Sequence, residues 1–448
     1  MAELKQLARQ IFHETLAAID IPATMQRKLR RQGTRIVCGE KTLDLKEFGK
    51  IRVVAMGKAA HAMVEGLALS LAPFVGFEGV VSAPSLPKKA VPGLKYFSAG
   101  HPVPNEESWK AAEAILALLR KCDKKTLVFF LLSGGGSSLV ELPLDPKETL
   151  EDVRQLYKAL VTCGANIDEI NTVRRHVSAV KGGRLAAAAV EATKVTLAVS
   201  DVPVGKESAL ASGPTLPDPT TIEDVERVIK AYSLSGKLPP ALQRWIHDGK
   251  MQETPKASDP AFRKSYFSLT LGMDDLLHPA HHATEALGFV TCCDNSTDDW
   301  PVEKAADALL GQLEELRAIH HGHRVALIAD GEVSSPVTGD GVGGRNSAFV
   351  LACVEKIAGK KVAVLSAGTD GVDGNSSGAG ALADGETLRR AREAGLDPRD
   401  FFRRSDAFTF FSKLGDTVLT GPTGNNLRDL RILLAERELP AITMSFAR

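Results

Sequence analysis

Three consecutive glycines flanked by serines form the segment best suited to chemistry, which consists of Ser133, Gly134, Gly135, Gly136, Ser137 and Ser138. The segment follows a run of β-forming apolar residues and precedes a predicted helix. Glycine allows sharp turns and positive φ angles, so such a loop can direct several backbone N–H groups at one anion. These six residues are predicted to bind a phosphate or a carboxylate, with a plain tight turn as the alternative. The chain has no Gly-x-x-x-x-Gly-Lys-Ser/Thr motif, which excludes a Walker-type phosphate loop.

A basic segment between Asn171 and Arg184 contains Arg174, Ser178 and Lys181. Spacings of four and three residues would place these three side chains on one face of a helix. Small residues interrupt the amphipathic pattern that a plain surface helix shows. We therefore predict that the three side chains bind an anion, and a solvated basic face remains the alternative.

A third glycine-rich segment precedes another predicted helix, and its candidate binding residues are Gly343, Gly344, Arg345 and Asn346. A guanidinium near a helix N-terminus, beside backbone N–H groups, is suited to phosphoryl oxygens. The segment also contains a Gly-x-Gly-x-x-Gly pattern, which can indicate a dinucleotide site. In such a site the strand runs directly into the first glycine, whereas here the predicted strand ends near Ala329. Dinucleotide binding is therefore the weaker interpretation.

Carboxylates follow several of the predicted strands, namely Asp201, Asp330, Glu332, Asp370 and Asp373. A single Asp at a strand end is usually a turn former or a helix cap. Several of them at one edge of a sheet could hold Mg²⁺ or accept a proton from a substrate hydroxyl. Asp201 is the strongest candidate for these roles, followed by Asp370.

Continuous apolar runs predict the strands that position these loops. Such runs end at Met56, Leu132, Val199, Ala329 and Leu365, and predicted helices lie between them. Unbroken apolar strands are typical of parallel sheets buried on both faces. The sequence therefore predicts an α/β protein, with polar loops gathered at the carboxyl ends of its strands.

The length of 448 residues exceeds what one ordinary hydrophobic core supports, which predicts more than one domain. A polar, Pro-containing stretch over residues 243–263 is the best linker candidate. The predicted domains are therefore an N-terminal domain of residues 1–242 and a C-terminal α/β domain of residues 264–448.

Composition limits the classes of partner. Lysine plus arginine and aspartate plus glutamate each number 55, and aromatic residues make up only 5%. The chain therefore has no net charge that would attract a polyanion, and few aromatic side chains on which bases could stack. A small anionic substrate is favoured over nucleic acid or a membrane surface.

The sequence also indicates the compartment. No apolar run reaches the roughly 20 residues of a membrane helix, and the six cysteines are expected to be reduced, mostly buried thiols. A cytoplasmic location is expected, and a homodimer is among the oligomeric states left open.

Nine short segments, taken in their order along the chain, resemble motifs of the class II glycerate 2-kinases. These enzymes have an N-terminal kinase domain and a smaller C-terminal domain of the MOFRL type. The resemblance covers almost the whole chain, and its segments are Met56-Gly57-Lys58-Ala59, Gly100-His101-Pro102-Val103-Pro104, Ser133–Ser138, Asn171–Gly183, Ser200-Asp201-Val202, Ala211-Ser212-Gly213-Pro214-Thr215, Gly343-Gly344-Arg345-Asn346, Gly368–Gly374 and Gly421-Pro422-Thr423-Gly424.

The resemblance implies a Rossmann-like, mostly parallel N-terminal sheet flanked by helices, with the active site in a cleft between two domains. It implies that Lys58 and Arg345 are catalytic and that Asp201 lies beside them. The implied reaction is ATP- and Mg²⁺-dependent phosphorylation of D-glycerate at its C2 hydroxyl. The alternatives are an NAD(P)H-dependent hydroxypyruvate reductase and a non-catalytic sensor of small anions.

Overall fold

The structure is a computed structural model that describes residues 2–72, 76–200, 202 and 205–437. The chain divides into two compact units: Ile21–Gly272, and Met1–Asp20 together with Met273–Arg448. The strands in chain order are β1 (Leu29–Gln32), β2 (Arg35–Cys38), β3 (Lys41–Asp44), β4 (Lys50–Met56), β5 (Glu78–Ala83), β6 (Leu94–Ser98), β7 (Thr126–Ser133), β8 (Thr193–Val199), β9 (Ser265–Leu271), β10 (Phe289–Asp294), β11 (Arg324–Asp330), β12 (Val362–Gly368), β13 (Gly380–Asp384), β14 (Thr417–Val418) and β15 (Asp429–Ala435).

Helices connect most of these strands. In chain order they are α1 (Ala2–Ala18), α2 (Ile21–Lys28), α3 (Ala60–Leu71), α4 (Glu106–Leu119), α5 (Gly136–Leu139), α6 (Leu150–Thr162), α7 (Ile167–Val177), α8 (Arg184–Ala188), α9 (Ile222–Ala231), α10 (Pro240–His247), α11 (Asp274–Ala286), α12 (Val302–Ile319), α13 (Arg345–Val354), α14 (Thr387–Glu393), α15 (Pro398–Arg403) and α16 (Ala407–Leu414), with short 3₁₀ helices at Leu45–Glu47, Glu207–Ser212 and Pro260–Phe262.

The unit Ile21–Gly272 is built on a parallel sheet with the strand order β6-β5-β4-β7-β8-β9. Strands β4 and β7 pair so that Met56 lies opposite Leu132, and the chain leaves both strands at the same edge. All residues of β7 and β8 are buried, as continuous apolar runs require. The predicted parallel sheet is confirmed, and the register brings the Lys58 turn beside the glycine loop.

The second unit has a mixed sheet with the strand order β10-β11-β15-β12-β13-β14. Strand β15 lies between β11 and β12 and is antiparallel to both, with Asp330 opposite Leu430 and Gly368 opposite Asp429. The first residues of β15 therefore meet the last residues of β11 and β12. This edge carries several of the carboxylates that the sequence placed at strand ends.

The limits of the compact units differ from the predicted domains. Strand β9 pairs in parallel with β8, so residues 265–271 belong to the first sheet rather than to the second domain. The predicted linker includes part of α10 and bonds to the first unit: the Asp218 N–H donates to the carbonyl of Pro255, and Arg184 donates to Gln252. Backbone carbonyls of this segment thus accept hydrogen bonds from the rest of the first unit, which the composition of the segment does not reveal.

Apolar packing gives each unit its own core. One buried cluster surrounds β4, β7 and β8, and another surrounds β11, α12 and α13. The cysteines are free thiols, but Cys292 and Cys293 are exposed, so the expectation of mostly buried thiols holds only in part. No helix within the described parts of the chain combines the length and apolarity needed to cross a bilayer.

Candidate active site

The Lys58 turn and the glycine loop of the first unit pack directly on each other. The Lys58 N–H donates to the Gly134 carbonyl at 2.9 Å, and the Ala59 N–H donates to Ser133 Oγ at 3.1 Å. Gly57 has a φ of +126°, and a Cβ atom there would lie 2.1 Å from Ser133 Oγ. Only glycine fits this close approach, so Gly57 fixes where Lys58 stands relative to the loop.

Two further side chains flank the same loop. A Cβ atom at Gly135 would lie 3.2 Å from the His101 ring and 3.4 Å from Cγ of Lys58, so both side chains border this glycine. His101 Nδ1 lies 3.0 Å from Ser138 Oγ. The structure thus brings together His101, Lys58 and the serine-glycine loop, which are distant in sequence.

Backbone donors of the glycine loop face no acceptor within the described part of the chain. The N–H groups of Gly135, Gly136 and Ser137 have no hydrogen-bond partner there, because α5 is a single turn that begins at Gly136. Gly135 adopts a φ of +82°, which glycine permits without strain. Donors of this kind beside a lysine are the groups that an anion requires. Anion binding by the loop stays a prediction.

A chain of hydrogen bonds joins this loop to two other segments. Ser137 Oγ lies 2.9 Å from Ser212 Oγ, and the Ser212 hydroxyl donates to Asn171 Oδ1 at 2.9 Å. Ser212 adopts a positive φ of 59°, which turns the chain toward the loop. Neither Ser212 nor Asn171 was a candidate site residue, since nothing in their local sequence marks them apart from their place in the family segments.

The prediction that Arg174, Ser178 and Lys181 share one face of a helix is wrong. Helix α7 ends at Val177, so Ser178 and Lys181 lie beyond it. Both are buried against Glu141: the Lys181 ammonium lies 2.6 Å from Glu141 Oε2, and the Ser178 hydroxyl donates to Glu141 Oε1 at 2.6 Å. Sequence spacing alone does not show where a helix ends.

Glu141 is the centre of a buried polar cluster behind the glycine loop. The Tyr157 hydroxyl donates to Glu141 and also to the carbonyl of Ser137, at 3.2 Å in the second case. Burial lowers the pKa of Lys181 and outweighs the opposing attraction of Glu141. Lys181 is 1% exposed, so its charge serves this ion pair. Nothing in the local sequence marks Glu141, because its partners Tyr157, Ser178 and Lys181 lie 16 to 40 residues away along the chain.

Asp201, the predicted catalytic carboxylate and metal ligand, lies outside the described residues. Strand β8 ends at Val199, and Ser200 donates a hydrogen bond to the carbonyl of Val202 at 3.3 Å. The role of Asp201 stays a prediction.

In the second unit, Arg345 is the first residue of α13 and is held between two carboxylates. Its Nε lies 2.5 Å from Asp429 Oδ2, and its Nη2 lies 2.6 Å from Glu332 Oε1. Burial alone would lower the pKa of Arg345, but these carboxylates outweigh it, and the pKa is raised. The side chain is 37% exposed, so a permanently charged guanidinium remains accessible.

Asp373 occupies the helix N-terminus that the sequence assigned to a phosphate. Its carboxylate accepts hydrogen bonds from the N–H groups of Gly344, Asn346 and Ser347, at 3.2, 2.9 and 2.9 Å. A Cβ atom at Gly344 would lie 2.3 Å from Asp373 Oδ1, which explains the glycine.

Two neighbouring groups of this loop are also engaged. The Gly343 N–H donates to Asn375 Oδ1 at 2.8 Å, and Asn346 Oδ1 accepts from the Ser366 hydroxyl at 2.6 Å. Phosphate binding by Gly343, Gly344 and Asn346 stays a prediction, and their backbone N–H groups already donate to protein acceptors. The half-buried Arg345 side chain is therefore the cation of this loop that a ligand can reach.

Asp370 lies close to Asp429 at the edge of the second sheet. A Cβ atom at Gly368 would lie 3.0 Å from Asp370 Oδ1 and 3.3 Å from Asp429 Oδ1. Asp330 is different, because it is buried and pairs with Arg428 at 3.0 Å. Across the described ranges, no group of three or more His, Cys, Asp or Glu side chains could hold a metal. Metal binding by Asp370 therefore stays a prediction.

The glycine pattern at residues 339–344 does not have the geometry of a dinucleotide loop. Strand β11 ends at Asp330 and α13 begins at Arg345, with residues 331–344 between them. A Cβ atom at Gly339 would lie 2.5 Å from the Arg404 carbonyl oxygen, and a Cβ atom at Gly341 would lie 2.6 Å from the same oxygen. These glycines serve packing against the protein itself.

Two family models match the chain. Residues 7–247 match a domain of unknown function, DUF4147, and residues 325–429 match the MOFRL family. Together they contain the Lys58 turn, the glycine loop and the Arg345 loop.

Proteins of known name match over most of their length. A protein of Agrobacterium vitis named "Putative hydroxypyruvate reductase" is 37% identical over 404 residues, which cover 86% of this chain and 87% of that protein. The D-glycerate 2-kinase of Thermotoga maritima is 34% identical over 396 residues, covering 88% and 92%. A crystal structure of glycerate kinase from Thermotoga maritima has a TM-score of 0.80 and 32% identity, with 97% and 100% covered. The chain therefore belongs to the class II glycerate 2-kinase family, whose members combine a DUF4147 domain with a MOFRL domain.

Proposed function

We propose that this protein is a glycerate 2-kinase, which uses ATP to phosphorylate D-glycerate at the C2 hydroxyl and releases 2-phosphoglycerate and ADP. The observation that carries the proposal is the position of Lys58 against a loop whose N–H groups at Gly135, Gly136 and Ser137 have no acceptor within the described ranges. A cation beside such donors suits the phosphates of a nucleotide. The name of the Thermotoga maritima relative supports D-glycerate as the acceptor.

Phosphoryl transfer depends mainly on positioning and on stabilising charge spread over the phosphoryl oxygens. The C2 hydroxyl oxygen bonds to the γ-phosphorus, the bond from that phosphorus to the ADP oxygen breaks, and the hydroxyl proton passes to a carboxylate. Lys58 and Arg345 supply positive charge to the phosphoryl oxygens. Asp201 and Asp370 are the carboxylates available for accepting the proton and for binding a metal.

Mg²⁺ that enters with ATP would neutralise part of the charge of the phosphates. Mg²⁺ commonly takes only one or two carboxylates from a protein and fills its other positions with phosphate and water. Asp370 would supply one such carboxylate, and the described residues contain no group of three or more His, Cys, Asp or Glu side chains that could hold a metal.

A coupled assay with ATP, Mg²⁺ and D-glycerate, followed by ³¹P NMR of the product, tests this function. We expect ATP consumption that requires D-glycerate and a resonance of 2-phosphoglycerate. A 3-phosphoglycerate product would keep the kinase and overturn the proposed acceptor hydroxyl. A lack of ATP consumption under all conditions would contradict the kinase and leave the anion-sensor alternative.

The second candidate function is hydroxypyruvate reduction, which the name of the Agrobacterium vitis relative favours. It requires a nicotinamide site, and the glycine pattern at residues 339–344 lacks the direct strand-to-glycine connection of such sites. Oxidation of NADH or NADPH on addition of hydroxypyruvate would support this function. We expect neither oxidation nor saturable binding of the nucleotides.

A further inference from the structure

Arg174 differs from the two residues with which the sequence grouped it. Ser178 and Lys181 are held by Glu141, whereas Arg174 projects from α7 with its guanidinium carbon 4.1 Å from the ring centre of Tyr157. Its Nε is buried, and no residue in the described ranges accepts a hydrogen bond from it. Stacking on an aromatic face holds a guanidinium in place without using its N–H donors.

No carboxylate within the described ranges forms an ion pair with Arg174. Lys181 and Glu141 neutralise each other at 2.6 Å, and the Tyr157 hydroxyl is neutral because burial raises its pKa well above the ordinary value. The positive charge of Arg174 therefore remains in a partly buried cluster. Charge in such a place is stabilised when an anion binds beside it.

Two contacts connect this cluster to the glycine loop. The guanidinium of Arg174 stacks on the ring of Tyr157, and the Tyr157 hydroxyl donates a hydrogen bond to the carbonyl of Ser137. Asn171 lies three residues before Arg174 on the same face of α7, and it accepts a hydrogen bond from Ser212, which contacts the Ser137 hydroxyl. Arg174 and Ser137 are partly exposed, while Asn171 and Ser212 are buried and hold the Ser137 hydroxyl.

We propose that Arg174 binds the carboxylate of the hydroxy acid substrate and that the Ser137 hydroxyl oxygen, whose proton is donated to Ser212, accepts a hydrogen bond from a hydroxyl of the same substrate. The proposal rests on the proposed function, since it names the subsite that distinguishes glycerate from a neutral polyol. A planar guanidinium matches a carboxylate through two parallel hydrogen bonds, which gives both affinity and orientation. With the carboxylate fixed near the loop, the C2 hydroxyl is directed to the phosphates that Lys58 and the loop N–H groups bind. Arg174 therefore determines specificity for the acceptor and leaves the nucleotide to other groups.

Steady-state kinetics of Arg174→Met test the subsite, with D-glycerate and ATP varied separately. We expect the KM for D-glycerate to rise by roughly 10- to 100-fold, in line with the loss of a charged hydrogen-bonded pair, and the KM for ATP to change less than about twofold. Lys158→Met is the matched control, because it removes an exposed positive charge beside Tyr157 on α6. The control should leave both KM values unchanged. A rise in the KM for ATP alone, or no change in either KM, would overturn the proposal.

A neutral analogue gives a readout that a merely structural role of Arg174 would not move. The wild-type protein should prefer D-glycerate over D-glyceramide in kcat/KM, and Arg174→Met should lose most of that preference. Arg174→Lys keeps the charge without the planar fork, so its preference should be intermediate. If Arg174→Met does not fold, as judged by thermal unfolding, Arg174→Lys decides the question by the same ratio. An unchanged ratio would contradict the proposal.

The two proposals fail in different ways. If the wild-type protein consumes no ATP with D-glycerate, the proposed function fails, and calorimetric titration of D-glycerate into the wild-type protein and into the Arg174 variant still tests the subsite. Binding that requires Arg174 would support an acid-binding site without the kinase reaction. Equal binding by both proteins, or by neither, would overturn the subsite.

Discussion

Ser347 donates two hydrogen bonds to Asp373, one from its backbone N–H at 2.9 Å and one from its hydroxyl at 2.6 Å. Asp373 is 2% exposed and lies at the N-terminus of the helix that Arg345 begins. A carboxylate of the protein thus takes the position at which the sequence predicted a bound phosphate. Its place there orients the first turn of the helix and, with it, the base of the Arg345 side chain.

Replacing Asp373 should therefore reduce both stability and turnover. Asp373→Ala removes the acceptor of several buried donors, and we expect a loss of about 2–4 kcal/mol in the free energy of unfolding, together with a lower kcat. Urea unfolding and steady-state kinetics measure the two effects. The control is Asp397→Ala, which removes the exposed cap of α15 and should cost about 1 kcal/mol without changing kcat. Equal costs for the two variants would contradict a special role for Asp373.

Lys58 and Arg345 should both be needed for turnover, as in other phosphoryl transfer reactions that depend on a cation. Lys58→Ala is expected to lower kcat by roughly 10³-fold. Lys89→Ala, at an exposed lysine of the same unit, should leave kcat within about twofold. Turnover near the wild-type value in Lys58→Ala would remove this residue from the mechanism.

Arg345→Lys tests whether turnover needs only the positive charge of Arg345 or also the planar set of N–H donors of its guanidinium. A lysine can still pair with Asp429, which keeps the fold, but it cannot reach Asp429 and Glu332 in the bidentate geometry of a guanidinium. We expect kcat to fall by about 10²-fold or more while the midpoint of thermal unfolding changes little. Arg389→Lys, at an exposed arginine of α14, is the control and should retain full turnover.

The pair of Glu141 and Lys181 should show strong coupling in a double-mutant cycle. Removing either partner leaves a buried charge without compensation, and each of Glu141→Gln and Lys181→Met should cost about 3–5 kcal/mol in the free energy of unfolding. The double variant should cost clearly less than the sum of the two. The exposed pair of Asp248 and Lys250 gives the comparison, since solvent screens such a pair and its coupling should be far weaker. Additive costs at Glu141 and Lys181 would mean that the two charges do not interact.

Glu148 should make stability depend on pH. Burial, assisted by nearby Asp145, Asp152 and Glu141, raises its pKa to about 8, well above the ordinary value of about 4.3. As the pH rises from about 4 to about 8, the unfolded carboxyl loses its proton while the folded one retains it, so the stability that this group contributes is lost.

Glu148→Gln should remove that pH dependence. We expect the variant to be more stable than the wild-type protein by roughly 2–4 kcal/mol at pH 9 and close to it at pH 4. Urea unfolding at a series of pH values measures the difference. Glu151→Gln changes an exposed carboxylate in the next helix and should show no such trend. A stability difference that does not vary with pH would show that Glu148 ionises normally.

The sequence by itself determined five buried strands of the two six-stranded sheets, the loops that follow those strands and the family. Apolar runs placed β4, β7, β8, β11 and β12 within a few residues of their observed limits. Because buried parallel strands need unbroken apolar segments, this pattern is written locally and can be read without the fold. Glycines with a positive φ, such as Gly57 and Gly135, are likewise local features of the sequence.

The tertiary structure decided which charges remain for a ligand. Glu141 pairs with Lys181, and Asp373 accepts hydrogen bonds from the N–H groups at the start of α13. Arg174 and Arg345, in contrast, keep accessible guanidinium groups. Arg345 and Asp429 are 84 residues apart in the chain, and their pairing depends on β15 running antiparallel between β11 and β12. An ionic interaction depends on distance in space and on exclusion of water, and neither is encoded by spacing along the chain.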